Sequence, residues 1–108
     1  MRLALSFALA ALLAGPALAQ QPRPATCPRD LFQNEAGFRV QQTRLAQVAN
    51  ADQATQCRAY RDHVAYLQKS RSVFATCQSG AERARNVGEM DSELVNYRAL
   101  IANRCGGR

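Results

Sequence analysis

Apolar residues recur in steps of three and four along two stretches of this chain. The first reads Cys57, Tyr60, Val64, Leu67, Arg71, Phe74, with Arg71 as its one charged member, and the second reads Val87, Met90, Leu94, Tyr97, Ile101, Cys105. Residues three and four apart are neighbours on one face of an α-helix, so each stripe predicts an amphipathic helix. The turn residues Gln78, Ser79 and Gly80 lie between them, which folds the pair into an antiparallel hairpin. A sparser stripe of Leu31, Phe38, Leu45 and Val48 precedes the hairpin. The pattern therefore predicts an all-α, up-down-up three-helix bundle, with helices over about residues 31–49, 51–77 and 81–104.

Local signals set those limits. Asp30 with Gln33 predicts the first helix start, Asn50 with Gln53 the second and Ser79 with Glu82 the third, since an N-cap oxygen with Glu or Gln three positions on satisfies otherwise unpaired N–H groups. Asn86 with Glu89 offers a second start for the last helix, and Gly106-Gly107 ends it. Gly37, inside the first helix, weakens it by roughly 1 kcal/mol relative to alanine, so the first turns are expected to fray or kink.

Not all 108 residues are expected to fold. Met1-Arg2, the uncharged apolar run from Leu3 to Leu13 and the small residues Ala17-Leu18-Ala19 make residues 1–19 a secretory signal peptide with a cut after Ala19. Gly15 and Pro16 break that run short of the ~20 residues a membrane span requires, so no stable membrane insertion is expected after cleavage. Residues 20–28, with Pro22, Pro24 and Pro28, read as an extended arm, residues 29–105 as one helical domain and residues 106–108 as a flexible end. The predicted location is periplasmic or secreted.

Export places Cys27, Cys57, Cys77 and Cys105 where disulfides persist. Four cysteines allow three pairings. Cys57 to Cys77 fails, because twenty residues of unbroken helix span ~30 Å, whereas bridged Cα atoms lie within about 7 Å. The other two are separated by register. Setting Phe74 opposite Val87, Leu67 opposite Leu94 and Tyr60 opposite Ile101 brings Cys57 to Cys105. Setting Leu45 opposite Tyr60, Phe38 opposite Leu67 and Leu31 opposite Phe74 brings Cys27 to Cys77. The predicted bridges are thus Cys27–Cys77 and Cys57–Cys105, whereas the third pairing joins opposite ends of the bundle.

Those assignments leave little for chemistry. Structural zinc sites draw on closely spaced cysteines, and here the separations are thirty, twenty and twenty-eight positions; no C-x-x-C dithiol or haem motif occurs. His63, the single histidine, is read as a half-buried packing residue facing Gln42, and the acidic group Glu89, Asp91, Glu93 as serving the helix dipole and solubility. With no G-x-S-x-G nucleophile motif either, the chain reads as a non-enzyme with no catalytic residues, no metal and no cofactor. Arg71, on the core side of its helix, requires a partner, and Glu35, Glu89 or Glu93 is expected to fix the register through it.

The net charge of +6 becomes +5 once Arg2 leaves with the signal peptide. Arg58, Arg61 and Lys69 share the helix face away from both stripes and form a candidate surface for an anionic partner. No block of like charges and no recognition motif points to nucleic acid. The expected function is a small exported, disulfide-stapled binding, adaptor or inhibitor module acting through a helix face on a protein or an anionic envelope polymer, as a monomer or weak homodimer. A stress-responsive holdase chaperone that opens in acid is the alternative, and a cell-wall hydrolase, lacking a convergent acid/base set, is the weakest.

Overall fold

A computed structural model describes residues 23–106, so the expected signal peptide lies outside the described residues. Three helices, α1 (Cys27–Gln47), α2 (Gln53–Cys77) and α3 (Gly80–Arg104), run up, down and up. Both disulfides form as the register requires: Cys27–Cys77 with Cα atoms 5.3 Å apart and Cys57–Cys105 with Cα atoms 5.8 Å apart. Each joins the start of one helix to the end of the next-packed one, closing loops whose ends are 50 and 48 residues apart. A constraint of that length on the unfolded chain is worth about 4 kcal/mol per bridge in the chain-entropy model.

The ends of α1 differ from those the sequence signals predict. The helix starts at Cys27, with Thr26 at the N-cap, Pro28 in the first turn and Asp30 inside that turn. Proline suits this place because the N–H it lacks would have had no helical partner. Cys27 and Pro28 therefore belong to the helix and not to an extended arm. The helix stays unbroken through Gly37 and ends at Gln47, two residues short of the expected limit.

Asp52 is the N-cap of α2, and its carbonyl accepts the Gln56 N–H at 3.0 Å. Only Gln78 and Ser79 separate α2 from α3, and Gly80 takes a φ of +60°, a conformation open to glycine without strain. Because α3 is continuous through Asn86 and Gly88, the second start signal is unused.

α2 is the middle of the fold. Leu67 is fully buried and packs with Met90 and Leu94 of α3, with Val64, Tyr66, Phe74 and Tyr97 around them. α1 and α3 both pack on α2, but no Cα of one lies within 8 Å of a Cα of the other. The bundle is accordingly an opened one, with a seam between its outer helices. The α1 contribution to the interior is slight: its buried residues are the half-cystine Cys27 and the polar Asn34. Where α1 meets α2, Gly37 lies against the ring of Tyr66, and a Cβ at this position would stand 3.0 Å from Tyr66 Cε2.

Candidate functional site

The seam between α1 and α3 holds the fold's most distinctive surface. At the Cys27–Cys77 end it forms a groove of about 430 Å³, with Leu31 and Phe38 on the α1 wall, Phe74 on the floor and Met90 on the α3 wall. Phe38 keeps 38% of its surface exposed. Glu35, Glu82 and Glu89 line the same groove, and among the described residues no lysine or arginine does. At the opposite end, Leu45, Tyr60, Tyr97, Leu100 and Arg104 line a second hollow of about 410 Å³.

A polar centre separates the two hollows. His63 of α2 is 1% exposed, and its ring meets Tyr97 edge-on at 4.5 Å and stacks near Tyr66 at 6.0 Å, centroid to centroid. Its Nε2 stands 3.8 Å from Glu93 Oε2, too long for a hydrogen bond, and His63 Nδ1, Glu93 Oε2 and Gln41 Oε1 are buried without a hydrogen-bond partner among the described residues. Tyr66 donates its hydroxyl to the Asn34 carbonyl at 2.6 Å and so ties α2 to α1.

Burial governs the titration of this cluster. It lowers the His63 pKa below its usual 6.5, because the charged imidazolium loses water it cannot replace. It raises the Glu93 carboxyl, and the nearby charge of Glu89 raises it further. Burial and then the Glu93 charge raise the Tyr97 phenol; at Tyr66 burial also raises the phenol, the Ser70 hydroxyl opposes that shift and Glu93 adds to it.

Chemically the seam offers an apolar floor between two helical walls, a surface suited to contact. A general base must reach a substrate proton, and both nitrogens of His63 are enclosed by packing. Its burial is complete where the sequence predicts half-burial, and the ring contact and close approach it makes across to α3 are with Tyr97 and Glu93. The i and i+1 positions of a helix diverge by about 100°, and this rotation turns His63 inward while Asp62 pairs with Arg44 of α1 at 2.8 Å.

Arg71 requires a second correction. It does not pair with Glu35, Glu89 or Glu93; it binds Asp91, with Nε to Oδ1 at 2.5 Å and Nη2 to Oδ2 at 3.3 Å. Its side chain is 45% exposed, so the stripe position lies at the edge of the α2/α3 contact and the guanidinium reaches outward around it. The Asp91 hydrogen bond and then its charge raise the Arg71 pKa, and the Arg71 hydrogen bond lowers that of Asp91.

Arg58, Arg61 and Lys69 are all exposed on α2, but the structure engages them separately. Arg58 donates to Thr55 Oγ1 at 3.1 Å, Arg61 to the Cys105 carbonyl at 3.4 Å, and Lys69 flanks a cleft between α1 and α2 with Arg29 and Asp30. Comparison with protein-family models, curated proteins and solved structures gives no match to this chain.

The seam carboxylates were not singled out from the sequence as a group. Glu82, Glu89 and Glu93 are spaced by seven and four residues, which places them along one face of a helix, and that spacing was the available signal. Their relation to Glu35 and Phe38 could not be read, because it depends on how far α1 stands from α3.

Proposed function

We propose that this protein is a non-enzymatic binding module of the periplasm or extracellular space, and that it takes a segment of a partner protein along the α1/α3 seam. The observation that carries this reading is the separation of the outer helices, which leaves Phe38 exposed beside the apolar floor at Phe74. A helix-in-groove contact uses such a surface: an apolar floor between two helical walls, with polar residues along the rim. The two disulfides hold the walls, so little ordering remains to oppose binding. They also suit an oxidising compartment, in keeping with the expected signal peptide.

A photo-crosslinking residue placed at Phe38, compared with one at Lys69, tests this in the native envelope. Adducts of discrete size from position 38 and not from position 69 are the expected result. Adducts of many sizes that appear only on acidification would favour the second reading, an acid-opened holdase. The enclosed His63, whose neutral form suits its site, is the observation behind that alternative.

A further inference from the structure

The four glutamates and four aspartates of this chain are placed differently. Asp30, Asp62 and Asp91 each meet an arginine, at 3.5, 2.8 and 2.5 Å. Glu82 and Glu89 have no lysine or arginine within 4.0 Å among the described residues, Glu35 has only Arg39 at that limit, and Glu93 has only the buried His63. Glu35, Glu82 and Glu89 surround the apolar patch of Leu31, Phe38, Phe74 and Met90. A chain with fourteen basic and eight acidic residues thus presents in this groove, among the described residues, no charged side chains other than carboxylates.

We propose that the occupant of this groove is a cationic amphipathic helix of a partner protein, seated with its apolar stripe on Phe38, Phe74 and Met90 and its lysines or arginines against Glu35, Glu82 and Glu89. This rests on the reading of the seam as the binding face. Along α3, Glu82 to Glu89 covers ~10 Å at 1.5 Å per residue, so about two turns of a partner helix can follow the row. Like charges lining one groove repel each other, and a cationic occupant relieves that repulsion. An anionic helix would add to it, and so the groove selects by sign as well as by apolar fit. Arg85 lines a neighbouring, shallower depression that it shares with Glu89 and Glu93, and it is not part of the groove lining.

Three fluorescent fourteen-residue helical peptides with the same leucine stripe and Lys, Gln or Glu on the polar face test this against the full oxidised chain by anisotropy. The Lys peptide should bind roughly tenfold more tightly than the Gln peptide, as expected for three rim ion pairs, with the Glu peptide weakest and the difference shrinking at high salt. Replacing Glu35, Glu82 and Glu89 together by Gln should bring the Lys peptide to the affinity of the Gln peptide, with circular dichroism unchanged; replacing Arg58, Arg61 and Lys69 by Gln should not weaken it. Equal binding of the Lys and Gln peptides, with crosslinks still forming at position 38, overturns the cation preference but leaves the seam as the binding face. Crosslinks at position 69 in place of 38 overturn the seam reading itself. Absence of binding by any of the peptides overturns the helical occupant, as does self-association of the peptide-free chain that the three Gln substitutions abolish, which would assign the groove to a second copy.

Discussion

His63 and Glu93 face each other at 3.8 Å across the α2/α3 interface, one enclosed to 1% exposure and the other with 39% of its side chain open to solvent. Their pKa shifts have opposite effects as the pH falls. The His63 pKa is lower in the fold than its reference 6.5, so the unfolded chain takes up that proton first and stability declines as pH falls through about 6.5. The Glu93 pKa is raised above 4.5 in the fold, so the folded chain takes up that proton first and regains stability as pH falls through the raised value towards 4.5. Tyr66 and Tyr97, the other titratable groups around the imidazole, are shifted upward and stay neutral throughout this range. Melting followed by circular dichroism from pH 7.5 to 5.5 should show a falling midpoint, flattened in His63→Gln and steeper in Glu93→Gln. A His63→Gln profile parallel to the wild type would remove this account.

Arg71 and Asp91 make two hydrogen bonds on the outside of the same interface. Exposed ion pairs add little to stability, since water and salt screen them and ordering both side chains opposes the gain. Arg71→Met is therefore expected to leave the melting midpoint close to that of the wild type, far less changed than by loss of either disulfide. A collapse of the helical signal in that variant would restore the register-fixing role expected from its stripe position.

Gly37 and Gly88 both sit inside helices, where alanine is intrinsically better by roughly 1 kcal/mol. A Cβ at Gly88 meets nothing within 4 Å, whereas one at Gly37 approaches Tyr66 Cε2 to 3.0 Å. The Tyr66 ring cannot yield freely, since its hydroxyl is bound to the Asn34 carbonyl at 2.6 Å. Gly88→Ala should raise the melting midpoint by several degrees, as ~1 kcal/mol does in a domain of this size. Gly37→Ala should lower it. An equal rise in both would show that the glycine at 37 is not needed for the approach of α1 to α2.

The contrast between these glycines marks where sequence reading stops. Helical period and register follow from one helix and its nearest partner, so the stripes were enough to bring Cys57 to Cys105 and Cys27 to Cys77. The approach of Tyr66 to Gly37 depends on the distance between α1 and α2, which periodicity does not contain; from sequence the glycine was only a weak point in α1. The partner of Arg71 is Asp91, one residue beyond the stripe member Met90, a difference within the slack of any register. The opening of the seam had the weakest signal of all, because it is a relation between two helices with no Cα atoms within 8 Å of each other.

The same weakness of α1 sets the two disulfides apart. α3 buries Met90 and Leu94 against Leu67, and its end is also tied by Arg104, whose Nη2 donates to Gln56 Oε1 at 3.0 Å while Gln56 Nε2 donates to the Ala49 carbonyl at 2.8 Å. The interior residues of α1 are Cys27 and Asn34, so its docking leans on the Cys27–Cys77 bridge and on polar contacts such as Tyr66 with Asn34 and Arg44 with Asp62. Each bridge constrains the unfolded chain similarly, by about 4 kcal/mol, yet their loss should be felt in different places. In Cys57→Ser/Cys105→Ser, hydrogen exchange should quicken in the last turns of α3 while α1 and the middle of the hairpin stay protected. In Cys27→Ser/Cys77→Ser, the α1 amides should lose protection along the whole helix while Leu67 and Leu94 remain in a folded α2/α3 hairpin. Uniform loss of protection in the second variant would mean that α1 and the hairpin fold as a single unit, and that the polar contacts of α1 matter as much as the apolar core of α3.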